Sequence, residues 1–196
     1  MKLNLLLASL FVAAGSVSAY AQTTTAGTVQ RDVNQQSRIE NGLKDGSLSV
    51  KEAGHLEKEQ ARVDHLQAKD LKDGKLDPAE RAQLQKAQNK ASRDIQAART
   101  NDIKGNPESK SSERMQANVQ RNVNQEQRIE QGVASGALTN RETAKLERGQ
   151  AHVDRREAAA AKDGHISAGE QTAIQNKEDH QSKRIHAKKH NDVTRK

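Results

Sequence analysis

The chain has 196 residues and a formal net charge of +7, with 30% charged and 1% aromatic residues. Cysteine is absent, which excludes disulfide frameworks and thiolate chemistry. Pockets for small ligands are mostly lined by apolar and aromatic side chains, and stacking sites for bases need aromatic faces. The composition therefore argues against a small-molecule enzyme and against a nucleic-acid binder that stacks bases.

The first 21 residues have the pattern of a secretory signal peptide. Lys2 supplies a positive start, a leucine-rich run follows, and Ala19-Tyr20-Ala21 places small residues at both key positions of a cleavage site. The run is too short to span a membrane, and no later run reaches that length. We expect cleavage after Ala21 and a periplasmic or secreted protein. Both aromatic residues, Phe11 and Tyr20, would leave with this segment.

The rest of the chain is a tandem duplication of one unit, with an offset of 90 residues and no insertion. Arg38-Ile39-Glu40 matches Arg128-Ile129-Glu130, and Lys72-Asp73-Gly74 matches Lys162-Asp163-Gly164. About 30 aligned positions are identical, which indicates an internal duplication, yet two copies are too few for a solenoid. We expect an all-α fold of two tandem three-helix units joined by a flexible linker. The expected bounds are 22–104 for the first unit, 105–117 for the linker, and 118–196 for the second unit with its basic C-terminal tail.

Each unit is predicted to contain three helices. Ala53, Leu56, Gln60 and Val63 fall at steps of three and four, and no alternating β-branched run indicates a strand. Gln60 and its counterpart Gln150 lie on the apolar stripe, so they either pair in the core or mark a groove. The expected helices cover 28–44, 50–71 and 78–100, and in the second unit 118–134, 140–161 and 168–190.

The turns between these helices resemble the second half of an EF-hand calcium loop, with the pattern Asp-Gly-x-Leu-Asp-x-x-Glu. If Gly74 takes the sixth loop position, then Asp73, Asp77 and Glu80 take the fifth, ninth and twelfth. The first and third positions of that loop offer no side-chain oxygen. The corresponding carboxylates of the other turns are Asp45, Glu52, Asp163 and Glu170. The pattern allows a weak calcium site.

Helix capping explains the same residues without a metal. A glycine just past a helix end takes the left-handed conformation, and the residue three positions after it is a good N-cap. The glutamate three residues after the N-cap then completes a capping box. A paired EF-hand needs two helices between its loops, whereas one uninterrupted helix separates Gly46 from Gly74. We favour a helix–turn–helix connector, and weak calcium binding stays open as the alternative.

Other chemistry is sparse. His186 and His190 are four residues apart, and such a pair can bind zinc, copper or nickel, although it lacks the third and fourth ligands of a tight site. Solvent-exposed histidines in a basic tail are the simpler interpretation. The chain has no nucleophile elbow and no glycine-rich phosphate loop. We therefore expect no enzyme, no catalytic residue and no bound organic cofactor.

The Ala- and Gln-rich tandem units and their G-x-L-[ST]-x-x-E turns resemble uncharacterised exported proteins of Gram-negative bacteria, some with EF-hand-like loops. The resemblance implies no known activity. We expect a non-enzymatic helical protein that acts by interaction in the cell envelope, in stress or as a chaperone-like binder. The alternative is a periplasmic divalent-cation binder that uses degenerate EF-hand-like loops or the C-terminal His pair. The expected partner is an envelope protein or an anionic envelope surface, not nucleic acid, and the oligomeric state is open.

Overall fold

The computed structural model describes residues 24–193, so the predicted signal peptide at residues 1–21 lies outside the described residues. Over that range the protein is all-α, as predicted, with three helices from each copy. The helices are α1 (Thr25–Lys44), α2 (Val50–Asp70), α3 (Pro78–Thr100), α4 (Lys110–Ala134), α5 (Asn140–Ala160) and α6 (Ala168–Lys189). No helix within the described range combines the length and the apolar character that crossing a membrane requires.

Four of these helices begin with the capping boxes predicted from the sequence. In each box the glutamate backbone N–H donates to the N-cap side chain, and the N-cap N–H donates to the glutamate carboxylate. The pairs are Ser49–Glu52, Asp77–Glu80, Thr139–Glu142 and Ser167–Glu170. The glycines that precede them have φ between 74° and 94°, the left-handed conformation predicted for Gly46, Gly74, Gly136 and Gly164.

The predicted linker at residues 105–117 is shorter in the structure, because α4 begins at Lys110. Ser109 caps this helix, and its hydroxyl accepts a hydrogen bond from Ser112 N at 3.2 Å. The segment before α4 is held on the first copy, since Gly105 N donates to Gly46 O at 2.9 Å. The small polar residues that suggest a linker therefore form the first turns of a helix.

The two copies pack helix against helix, and the most extensive contacts join counterparts: α2 with α5, and α1 with α4. Helices α2 and α5 run antiparallel. Gly54, near the start of α2, lies against Ala161 just after α5, whereas Leu71, just after α2, packs with Ala144 near the start of α5. A Cβ atom at Gly54 would lie 2.6 Å from Ala161 Cβ, so glycine permits this close approach.

Helices α1 and α4 also run antiparallel. Ile39 and Leu43, late in α1, share an apolar cluster with Met115 and Val119, early in α4, while Val29 packs with the later part of α4. The copies are therefore related by a pseudo-two-fold axis through the middle of both helix pairs. Helices α1, α2, α4 and α5 form a four-helix core, and α3 and α6 pack on the helices of their own copies. Each of the two largest apolar clusters contains residues from both copies.

Candidate metal centre

The middle of the four-helix core is polar, between the two apolar clusters described above. Matching stripes of acids and amides run along α2 and α5 at steps of three and four residues, which places each stripe on one helix face. Every member is at most 2% exposed to solvent. The stripes consist of Glu57, Gln60, Asp64 and Gln67 on α2, and of Glu147, Gln150, Asp154 and Glu157 on α5.

One carboxylate from each of the four core helices meets in a first cluster, here called the four-carboxylate site: Asp32 (α1), Asp64 (α2), Glu126 (α4) and Glu147 (α5). Asp32, Asp64 and Glu147 each have a carboxylate oxygen within 4.8 Å of the other two. Glu126 lies near this group, since after desolvation its charge is the largest cause that raises the pKa of Glu147. All four side chains are buried.

Half of the oxygens in the four-carboxylate site have no hydrogen-bond partner. Both oxygens of Glu147, Oδ2 of Asp32 and Oε2 of Glu126 are buried without a donor. Asp32 Oδ1 accepts from Gln88 Nε2 at 2.7 Å. Among residues 24–193 no Lys, Arg or His side chain is buried, so no basic side chain shares the interior with these acids. An unsatisfied buried acceptor costs about 1–3 kcal/mol, and more when it is charged.

The pseudo-two-fold axis generates a second cluster, here called the amide-containing site. Glu57, Asp154 and Glu157 have carboxylate oxygens within 4.8 Å of one another. Two amides donate into this cluster: Gln36 Nε2 reaches Glu57 Oε2 at 2.9 Å, and Asn122 Nδ2 reaches Glu157 Oε2 at 2.9 Å. Asn122 Nδ2 also lies 3.4 Å from Asp154 Oδ1. This cluster satisfies part of its own hydrogen-bonding demand.

The two sites differ at equivalent positions of the duplication. Asn122 occupies the position that Asp32 holds in the first copy, and Gln36 occupies the position of Glu126 in the second. These exchanges put two amide donors into one site and two carboxylates into the other. A third exchange runs the other way, since Glu157 of the amide-containing site corresponds to Gln67 of the first copy. The four-carboxylate site is therefore the stronger candidate for a bound cation, because the protein supplies it with fewer donors.

Burial raises the pKa of every carboxyl in the two sites, with loss of hydration as the largest cause. The pKa of Asp64 rises to about 7 and that of Glu57 to about 8. Asp64 and Asp154 hydrogen-bond to each other, which requires a proton on one of them. These raised pKa values favour protonated carboxyls in the cation-free core near neutral pH, so a cation that binds there would displace protons.

The donor set suits a hard cation. Calcium takes six to eight oxygen ligands at 2.3–2.6 Å, so two oxygens on one ion lie at most about 5 Å apart. The oxygens of Asp32, Asp64 and Glu147 satisfy this limit, since they lie within 4.8 Å of one another. Gln60 and Gln150, on the same helix faces as these acids, each have a buried amide oxygen without a hydrogen-bond partner. Magnesium, calcium and manganese prefer such ligands, whereas zinc and copper favour imidazole or thiolate.

The carboxylates predicted from the EF-hand resemblance lie in helix caps and turns. The carboxylates of Glu52, Glu80 and Glu170 each accept a hydrogen bond from the backbone N–H of their N-cap residue, at 2.9–3.0 Å. The carboxylates of Asp45, Asp73 and Asp163 each accept a hydrogen bond from the backbone N–H two residues later in the chain, at 2.8–2.9 Å. Asp77 Oδ1 accepts from Glu80 N at 2.8 Å. The two core clusters, which are the groups of three or more potential ligands found in the described part of the chain, include none of these residues. Weak calcium binding by the loops stays a prediction.

The His pair stacks on the surface of α6. The ring centroids of His186 and His190 are 4.2 Å apart with an angle of 21° between the planes. His190 Nδ1 lies 2.8 Å from His186 O, and both rings are exposed. The pair belongs to neither core cluster. Binding of zinc, copper or nickel by these two rings stays a prediction.

The sequence alone does not single out the core carboxylates, because acids at helical spacing among Lys and Arg are typical of a solvated face. A usable signal was present: Glu57, Gln60 and Asp64 recur unchanged 90 residues later, in phase with the apolar stripe. Gln60 and Gln150 were predicted either to pair in the core or to mark a groove: both lie in the core at 1% exposed, but they do not pair with each other. The partner of Gln60 is Gln35, with Nε2 donating to Oε1 at 3.1 Å.

No family model matches this chain, and no curated protein or solved structure matches it. The functional interpretation therefore depends on the geometry and chemistry of the polar core.

Proposed function

We propose that this chain is an exported, non-enzymatic protein that binds hard divalent cations, calcium or manganese, inside its helical core. The observation that supports this most directly is the four-carboxylate site. Four acids from four helices converge there, half of their oxygens lack a donor, and no basic side chain of the described residues is buried with them.

Burying several carboxylates together is energetically unfavourable unless something neutralises them. Removing one such ion from water has an effective penalty of several kcal/mol in real proteins. Protons can neutralise the acids at low pH, and a divalent cation can do so at the neutral pH where hard cations compete well. Because α1 and α2 come from one copy and α4 and α5 from the other, an ion in this site would also cross-link the two halves of the fold.

The proposal retains one of the two functions expected from the sequence, a divalent-cation binder, and assigns it different ligands. The other expectation, a protein that acts by interaction in the cell envelope, stays a prediction. The two are compatible, since a cation that tightens the core would alter the stability of any surface that the bundle presents. Export itself depends on the signal-peptide pattern in residues 1–21.

The test is a calorimetric titration of chelator-treated protein with Ca²⁺ and with Mn²⁺ at pH 7.5, with Zn²⁺ as a comparison. We expect binding of the hard cations with release of protons, which appears as heat that depends on the ionisation enthalpy of the buffer. Glu147→Gln removes a ligand with little change in shape and should weaken binding at least tenfold.

Asp73→Asn is the matched control, because it makes the same chemical change in a predicted loop ligand. It should bind cations as the wild type does. Two results would overturn the proposal: wild-type protein that binds neither cation at millimolar concentration, or affinity that depends on Asp73 and not on Glu147. The second result would move the site to the loops.

A further inference from the structure

A hollow between α5 and α6 on the surface of the second copy is lined by basic side chains and contains no acid among its lining residues. Its volume is about 310 Å³, which is room for a small anion with part of its hydration shell. The polar groups around it are His152, Lys177, His180, Arg184 and Gln181, with Gly149 and Val153 at its base.

The same surface of the first copy carries no net charge, because its acids and bases form ion pairs. Glu59 forms ion pairs with Arg62 and, at 3.4 Å, with Lys90, and Lys90 Nζ lies 2.5 Å from Asp94 Oδ2. Two bases and two acids therefore balance one another there. Each position of this surface has a single counterpart in the other copy, because the duplication has no insertion.

The second copy loses both acids of that surface at once. Gly149 takes the position of Glu59, and Arg184 takes that of Asp94. Lys177 adds a positive charge where the first copy has Ala87. His152 and His180 replace Arg62 and Lys90, so both bases of the first-copy surface are lost as well. The net charge of these positions, with His neutral, still rises from zero to +2, and no acid is left to form an ion pair with Lys177 or Arg184 inside the hollow.

The glycine that replaces Glu59 in the second copy also makes room for Gln181 beside the hollow. Gln181 lies over Gly149, and a Cβ atom there would be 2.0 Å from Gln181 Oε1. Gln181 Nε2 donates to Leu146 O at 2.8 Å, which fixes the side chain in this position. Arg184 is anchored at one end of the guanidinium, since Nη2 donates to Lys145 O at 3.0 Å. Desolvation lowers the pKa of His152, and the charges of Arg155, Lys177, Arg184 and Arg148 lower it further.

We propose that this hollow is an anion site of the phosphate class, formed by Lys177, Arg184 and the two histidines, and independent of the cation site in the core. Arg and Lys are the residues that recognise phosphate oxygens, Arg through its planar fork and Lys as a point charge. Free phosphate and the phosphate of an anionic lipid headgroup share this chemistry. The proposal stands whichever source supplies the group.

The test measures binding of inorganic phosphate by calorimetry and, separately, co-sedimentation with phosphatidylglycerol vesicles against phosphatidylcholine vesicles. Arg184→Asp restores the residue type of the first copy and should weaken phosphate binding at least tenfold. Lys177→Ala, also a first-copy residue, should weaken it by a smaller factor. Lys86→Asp is the control, since it makes the same change in net charge at an exposed position of α3.

Each outcome bears on the proposal. Loss of phosphate binding in Arg184→Asp with no loss in Lys86→Asp supports a site for the free anion. Loss of vesicle binding alone, with the same pattern of variants, assigns the hollow to a lipid headgroup. Equal losses in Arg184→Asp and Lys86→Asp would show that net charge, not the hollow, attracts anions, and would overturn the proposal. Wild-type protein that binds neither probe overturns it as well.

Discussion

Replacing Asp64 with Asn tests the central claim that the core acids are held protonated when no cation is bound. Asp64 belongs to the four-carboxylate site and is hydrogen-bonded to Asp154 of the amide-containing site, and burial raises its pKa from 3.8 to about 7. One pKa unit corresponds to 1.36 kcal/mol, so the shift of about three units represents about 4 kcal/mol. Asparagine has nearly the same shape and no proton to lose.

The raised pKa of Asp64 determines how the free energy of unfolding changes with pH. The folded protein binds the Asp64 proton more tightly than the unfolded chain does, so the free energy of unfolding falls as pH rises from about 4 to about 7. Asp64→Asn removes this contribution. Between pH 4 and pH 7.5, without cations, the stability of the variant relative to the wild type should therefore increase by about 4 kcal/mol.

Calcium at 100 times Kd should offset most of this difference at pH 7.5. A ligand that binds only the folded state stabilises it by about 2.7 kcal/mol at a concentration of 100 times Kd. The wild type should gain this stability, and the variant should gain much less because it has lost one of four charged ligands. The same substitution thus stabilises the cation-free protein and removes the effect of the cation.

The assay is urea unfolding followed by far-UV circular dichroism, since the chain has no tryptophan. Curves are recorded at pH 4, 5.5 and 7.5, with chelator and with calcium, for the wild type, Asp64→Asn and the control Asp73→Asn. The control should follow the wild type throughout. Parallel pH profiles for the wild type and Asp64→Asn would refute the reasoning, because they would show that Asp64 binds its proton equally in both states.

Three further predictions follow from the same structure. Asn122→Asp makes the amide-containing site more like the other site, so it should raise the number of calcium ions bound per chain in calorimetry and lower the stability of the cation-free protein at pH 8. Asp77→Ala removes the α3 cap and should lower the free energy of unfolding by about 0.5–2 kcal/mol, with calcium affinity unchanged in the same titration. Gly54→Val forces a side chain against Ala161 where α2 meets α5, and overpacking of this kind lowers stability by about 1–3 kcal/mol in urea unfolding.

The sequence predicted the helices well because their ends are set by local chemistry. Asp77 and Glu80 make a capping box from four consecutive residues, so the start of α3 follows from the chain alone. The start of α4 was missed because Ser111 and Ser112 are as common in linkers as in first helical turns. The packing of α2 on α5 depends on residues 90 positions apart, and no local rule contains that information.

The candidate site was missed for the same reason. Glu57 and Asp64 share a helix with many charged residues, and the sequence does not say which face of that helix becomes buried. Only the pairing of the two copies turns this face inward, where the acids lose their water. The loop carboxylates were easier to notice because their glycines mark them, yet the structure uses them for capping.

The two-fold arrangement of the copies has a consequence for how binding sites can specialise. In a symmetric homodimer any substitution in one site appears in the other, so both must keep the same affinity. Here the partners are joined in one chain, and Asp32 and Asn122 can differ although they occupy equivalent places. One site can then be richer in carboxylates while its twin receives two amide donors. On the outer surface, the same freedom lets Arg184 face solvent where the first copy keeps an acid.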